Sequence, residues 1–252
     1  MSCTLCLQGF ADQAIEENRR NVTIAEELSH PFSLATALAY SAIQHQYRRE
    51  PEAAEKLAVD AAAICHKNGF RYYLSWTPIV RGWARARKGA VAEGLAEMRD
   101  GFAALKATGA MLRGPYYLAL IAEIYREMGE LEQGWNCLTE AFALGQRSKE
   151  TWFKPELERI KGDILLDRGE KEEAEACYRE AFRMAGDVGT LFFELRAAMR
   201  LARLGGSSAQ RAKTLVQLGE TYRKFDEGFD TPDLVEAREL LEHLGGEVAG
   251  TA

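Results

Sequence analysis

A chain of 252 residues with a formal charge of −6 lacks the basic excess that displaces counterions from nucleic acid, which argues against general nucleic-acid binding. Hydrophobic residues make up 47%, enough for a folded core, yet no stretch approaches the ~20 apolar residues of a membrane span. Residues 1–10 have neither the basic start nor the apolar core of a signal peptide, so the expected location is cytoplasmic, and the five scattered cysteines are expected to be free thiols.

Residues 1–8 read as the end of a helix, and Gly9 as the turn into a second helix over about 11–29. In that helix Ala14, Ile15, Val22, Ala25 and Leu28 form an apolar stripe, with Glu16, Glu17, Arg19 and Arg20 between them. His30-Pro31 closes it, and Pro31 suits the first turn of the next helix, which runs to Tyr47. Helical hairpins follow at 31–69, 70–109, 110–149 and 150–189, with a partial unit before them at 1–30 and a degenerate one after them at 190–226. In the degenerate unit Gly205-Gly206 moves the turn forward, so the small residue due at Thr214 is expected at Ala212 instead. Thr231-Pro232-Asp233 supplies an N-cap, a first-turn proline and a first-turn acid for a capping helix within 227–245. Residues 246–252 read as a flexible tail.

The hairpins share a period of forty. Gly9, Arg49, Gly89, Gly129 and Gly169 occupy one slot, and Ala14, Ala54, Gly94, Gly134 and Ala174 a second. Seven residues after the second come Asn21, Ala61, Gly101, Ala141 and Ala181, while Ala42, Gly82, Ala122, Gly162 and Ala202 form a further small slot in the first helices. Gly69, Gly109 and Gly189 mark the junctions between hairpins, where a left-handed C-cap favours glycine. A fixed period of this length signals a solenoid, in which each unit buries its face on its neighbours. The expected fold is all-α: a right-handed α-solenoid of about six antiparallel helical hairpins over 1–226, the first truncated and the last degenerate.

The truncation follows from the same arithmetic. Ala42 less forty is Ser2, yet the helix carrying Ala42 begins near Phe32, so the first helix lacks about ten residues. The expectation is a fragment or a late-started reading frame. Its N-terminal edge would be covered by an upstream domain or by self-association.

The search for catalytic motifs points away from an enzyme. Gly89 and Gly94 have P-loop spacing, but Leu95 and Ala96 stand where a lysine and a hydroxyl must meet phosphate and Mg²⁺. The sequence contains no G-x-G-x-x-G, H-E-x-x-H or G-x-S-x-G. Cys3 and Cys6 form a C-x-x-C with no second pair to complete four metal ligands, and they are read as core packing. No cofactor and no metal is expected. Arg81, Arg85, Arg87 and Lys88 read first as cations at a helix end.

Small residues in the first helix, with two more seven apart in the second, form the pattern of the tetratricopeptide repeat. The chain resembles tetratricopeptide-repeat (TPR) proteins over about 1–226; the stretch 129–134 followed by Ala141-Phe142 matches that family's turn and second helix. It departs in period, forty residues instead of thirty-four, which shared between two helices adds ~3 residues to each. His30-Pro31-Phe32-Ser33-Leu34-Ala35, Arg81-Gly82-Trp83-Ala84, Ala107-Thr108-Gly109-Ala110 and 227–234 further resemble the C-terminal repeat region of bacterial proteins that join an adenylate/guanylate cyclase domain, an ATPase module and a helical tail. That resemblance implies a regulatory or scaffolding surface with the catalysis upstream. It implies a protein or peptide partner, other domains of the same polypeptide included.

In the family resembled, first helices line the concave face. Carried onto this sequence, the partner-binding residues are Ile43, Tyr47, Trp76, Ile79, Trp83, Arg87, Tyr116, Glu123, Glu127, Arg159 and Asp163. Trp83 shares its slot with Glu123 and Asp163, charges that a core rejects unless they are paired, and this favours a surface over a core for that slot. The alternative function is a small-ligand sensor whose groove binds a metabolite.

Overall fold

The computed structural model describes residues 2–245, and these contain thirteen helices and no strand. The tail expected at 246–252 lies outside the described residues. The helices are α1 (Ser2–Leu7), α2 (Ala11–Glu27), α3 (Pro31–Tyr47), α4 (Pro51–Asn68), α5 (Arg71–Arg87), α6 (Val91–Thr108) and α7 (Gly114–Glu127). They continue with α8 (Leu131–Ser148), α9 (Lys154–Asp167), α10 (Lys171–Val188), α11 (Leu191–Leu204), α12 (Ser208–Tyr222) and α13 (Pro232–Leu244). Consecutive helices pack in pairs, as in a TPR-like α-solenoid.

The chain divides into two compact units: Met1–Cys6 with Gln13–Glu150, and Leu7–Asp12 with Thr151–Ala252. In the first, α3 pairs with α4, α5 with α6 and α7 with α8, and α3 also packs on α5, as α5 does on α7. In the second, α9 pairs with α10 and α11 with α12, and α13 rests on α11 and α12. The core of the second unit includes Phe192, Leu195, Met199, Leu218, Tyr222 and Leu241, and Ala11 joins it from the short N-terminal piece. That piece is held by a reciprocal pair of hydrogen bonds: the Asp12 amide donates to Glu227 (2.9 Å) and the Gly228 amide to the Asp12 carboxylate (3.0 Å).

The small slots mark where paired helices touch. A Cβ added at Gly82 in α5 would stand 2.5 Å from the Gly94 carbonyl oxygen of α6, and one added at Gly162 in α9 would stand 3.1 Å from the Ala174 carbonyl of α10. The second pair occupies the same two slots as the first, two hairpins further along. The turn slot is as uniform. Gly9, Gly89, Gly129 and Gly169 all take positive φ, and Arg49 is forced into the same left-handed conformation at φ 60°.

Several expectations are corrected. The first helices α7 and α9 begin at Gly114 and Lys154 instead of 110 and 150, so they have 14 residues against 17 in α3 and α5. Pro115 and Pro155 explain this, because proline fits the first turn of a helix and breaks its interior. The helix expected over 11–29 stops at Glu27, and His30 becomes the N-cap of α3, its ring accepting from the Ser33 amide. In the last hairpin the phase does not shift. Thr214 is buried and Ala212 exposed, and the two threonines at the small slots are accommodated by bonding their hydroxyls, Thr214 to backbone carbonyls and Thr221 to Glu194. Asp233 does more than favour a helix dipole: it is buried and pairs with Arg196.

Two substitutions test this geometry by urea unfolding. Gly82→Ala drives a Cβ into backbone and is expected to cost about 1–3 kcal/mol. Arg49→Gly removes a left-handed non-glycine residue and is expected to stabilise by about 1 kcal/mol. Equal midpoints for all three proteins would show that neither slot constrains the fold.

Candidate partner-binding site

In the first unit the predicted binding residues lie on α3, α5 and α7, and most of them face inward. Ile43, Tyr47, Trp76, Ile79, Trp83 and Tyr116 are all buried. Trp76 stacks on Tyr117 at 5.9 Å between ring centroids and meets Tyr40, Tyr72 and Tyr73 at its other edges. Tyr47 and Tyr116 form a T-shaped pair at 5.5 Å, and the Tyr116 hydroxyl donates to Gln46 (2.8 Å). Arg113, held at a positive φ of 61°, sends its guanidinium over the Tyr40 ring and donates to the Tyr47 hydroxyl (2.8 Å). Desolvation raises the Tyr47 and Tyr117 phenols and pushes Tyr72 up to about 12, so these rings stay neutral at physiological pH.

The remaining predicted residues of this unit reach the surface. Arg87 is exposed at the end of α5, donating to Glu127 (2.5 Å) and lying 3.9 Å from Glu123, with its guanidinium 6.0 Å from the Trp83 ring. Glu127 is exposed and Glu123 half-buried. The basic run around Arg87, read from sequence as helix-end cations, is a set of ion pairs between helices. Arg81 and Arg85 both bind Glu97, and Lys88 binds Glu55 (2.8 Å).

In the second unit Arg159 and Asp163 are buried, with Asp163 only 1% exposed. Arg159 bridges Asp163 (2.5 Å) and Glu156 (2.9 Å) on its own helix. Arg200 of α11 and the Tyr178 hydroxyl of α10 each donate to Asp163 at 2.7 Å. Arg196 links Glu156 (3.1 Å) to Asp233 (2.7 Å). Desolvation opposes the Arg196 charge, but Asp233 and Glu156 outweigh it and raise its pKa above the ordinary arginine value. Three guanidinium groups thus meet three carboxylates in one buried network.

The charge at the Trp83 slot therefore has a partner in both units: Arg87 beside Glu123, and Arg159 and Arg200 on Asp163. Pairing is the condition under which a core accepts such residues. Sequence reading missed Glu156, Tyr178, Arg196, Arg200 and Asp233. The available signal was charge spacing: Glu156, Arg159 and Asp163 share one helical face, and Arg196 stands forty residues after Glu156.

Comparison with known proteins gives two findings. A family model described as tetratricopeptide repeat matches residues 160–187, the stretch holding Gly162, the Gly169 turn, Ala174 and Ala181. This match supports a TPR-type repeat protein. A protein of Rhizobium meliloti (strain 1021), described as uncharacterized, is 23% identical over 206 residues, covering 81% of this chain and 20% of its own length. The chain thus spans about a fifth of that relative.

Stability separates the buried pairs from the exposed ones. Asp163→Ala removes the shared acceptor of two guanidinium groups and a buried phenol and is expected to cost about 3–5 kcal/mol in urea unfolding. Arg87→Ala, at a half-exposed pair, is expected to cost no more than about 1 kcal/mol. Similar losses for both would mean that Asp163 is not buried with its partners as described.

Proposed function

We propose that the protein is a non-catalytic interaction or scaffolding module that binds a peptide or helix of a partner along its first helices. TPR repeats generally mediate protein–protein interaction, and the match over 160–187 is the observation that carries the proposal. The chain covers about a fifth of a longer relative, which fits a segment of a larger polypeptide; the resemblance to cyclase-linked repeat regions extends this to the regulatory tail of a cytoplasmic signalling protein.

Within the predicted binding set, the contacts are assigned by exposure. Arg87, Glu123 and Glu127 offer a mixed-charge cluster at the ends of two successive first helices, and a partner's carboxylate competes with Glu127 for the Arg87 guanidinium. Ile43, Tyr47, Trp76, Ile79, Trp83 and Tyr116 form the rigid bed beneath it. Arg159 and Asp163 hold the corresponding helix of the second unit in shape. A preorganised bed reduces the ordering cost of binding.

The test is affinity capture from the native cell with the full chain as bait, with Arg87→Ala in parallel. The expected result is a protein partner whose recovery falls at least tenfold with Arg87→Ala and declines as salt rises. Recovery independent of Arg87 and of salt would rule out this surface.

A further inference from the structure

We propose that the groove between α5 and α6 binds a short free peptide of about three residues, held by its two charged ends. The groove lies within the first unit, and Arg87 is not part of it. Its volume is about 450 Å³, within the range of small-molecule sites. Both walls belong to one hairpin in the middle of the array, with α3 and α4 before it and α7 and α8 after it, so its opening is set by the residues of that hairpin.

Slot by slot, this hairpin departs from its neighbours where the groove opens. Ala104 is exposed, whereas the residues at its slot in α4, α8 and α10 are Ile64, Leu144 and Met184, each half-buried or buried. Glu97 stands where those helices have Leu57, Cys137 and Cys177. Pro78, inside α5, replaces Leu38 of α3 and Leu118 of α7. The bulk missing at Ala104, beside Gly101 and the Pro78 ring, leaves an apolar floor under a polar rim.

The two ends of the rim differ in charge. Proline has no amide hydrogen, so the Leu74 carbonyl lacks the donor that residue 78 of a regular helix supplies. Gly101 faces Ser75 and Ile79 while Gly82 faces Gly94 and Met98, an antiparallel pairing that puts Asp100 at the Leu74 end. Asp100 is exposed and makes no ion pair among the described residues. A carbonyl and a carboxylate thus meet there, and an ammonium group has donors for both. At the other end Arg81 and Arg85 share the Glu97 carboxylate, whose side chain is 13% exposed. Glu97 holds both guanidinium groups in place, and their remaining N–H donors suit a second carboxylate. Leu74 and Arg81 are seven residues apart, about 10 Å along the helix. Three extended residues at ~3.3 Å each match that span, and a single amino acid falls short of it. Small side chains suit the floor.

The probe is trialanine, titrated into the nitrogen-15-labelled full chain and followed at the Gly101 amide and its neighbours. Saturable shifts are expected, with a Kd on the order of 1 mM for so small a ligand. Ala104→Leu and Pro78→Leu each introduce the residue that another hairpin has at that slot, so the fold is retained. Both fill the groove, and the second also gives the Leu74 carbonyl its amide; each should weaken binding roughly tenfold or more. Asp100→Asn should weaken it roughly threefold, as should N-acetylation of the peptide. Absence of saturable shifts, or binding indifferent to both leucine variants, overturns the proposal. Equal binding of N-acetyl-trialanine amide, which lacks both charges, also overturns it, because the groove would then take the middle of a longer polypeptide. Acetate binding as tightly as trialanine would do the same and leave only an anion site.

Discussion

The close approach of the two helices in each hairpin is the constraint on which the other features rest. Gly82 and Gly94 lie backbone to backbone, and Gly162 faces Ala174 in the same way. In the four hairpins from α3 to α10 these two slots hold only glycine or alanine, so each is locked at one depth, and the turn joining its helices has one geometry. The left-handed residue at the turn follows from this lock. Arg49 takes that conformation where its four counterparts are glycine, which shows that the hairpin sets the backbone and the residue conforms to it.

Once the hairpins are locked, the faces of the first helices must be filled, and the two units do this with different chemistry. The first uses stacked and T-shaped rings around Trp76, Tyr116 and Tyr117. The second uses Glu156, Arg159 and Asp163 crossed by Arg196 and Arg200. Apolar filling gains stability directly from burial, whereas an ionic network does so only when every charge has a partner, and it therefore specifies which helices may sit side by side. The network joins four helices, α9, α10, α11 and α13, through named pairs.

With these faces occupied by the protein's own side chains, the surface proposed for a partner is the polar ends of the first helices, charged and adaptable and suited to steering and salt-sensitive contact. A scaffold of stacked hairpins can carry such a surface because it depends on only one or two of its units.

The sequence by itself determined the helical class, the forty-residue period, the turn positions and the slots of closest approach, because small residues and left-handed turns are local requirements written at fixed intervals. It also placed the proposed binding set on the first helices α3, α5, α7 and α9. Only the tertiary structure decided which side of those helices faces in. Trp83, Glu123 and Asp163 share a slot, and by type they look incompatible with a single environment, yet Trp83 and Asp163 are both buried, the carboxylate being met by Arg159 of its own helix and by Arg200 and Tyr178 of the next two. Thr214 likewise kept a slot that its size seemed to forbid, since its hydroxyl found carbonyls within its own helix. Periodicity records where a residue stands on its helix; whether that position is core or surface depends on partners that no local pattern specifies.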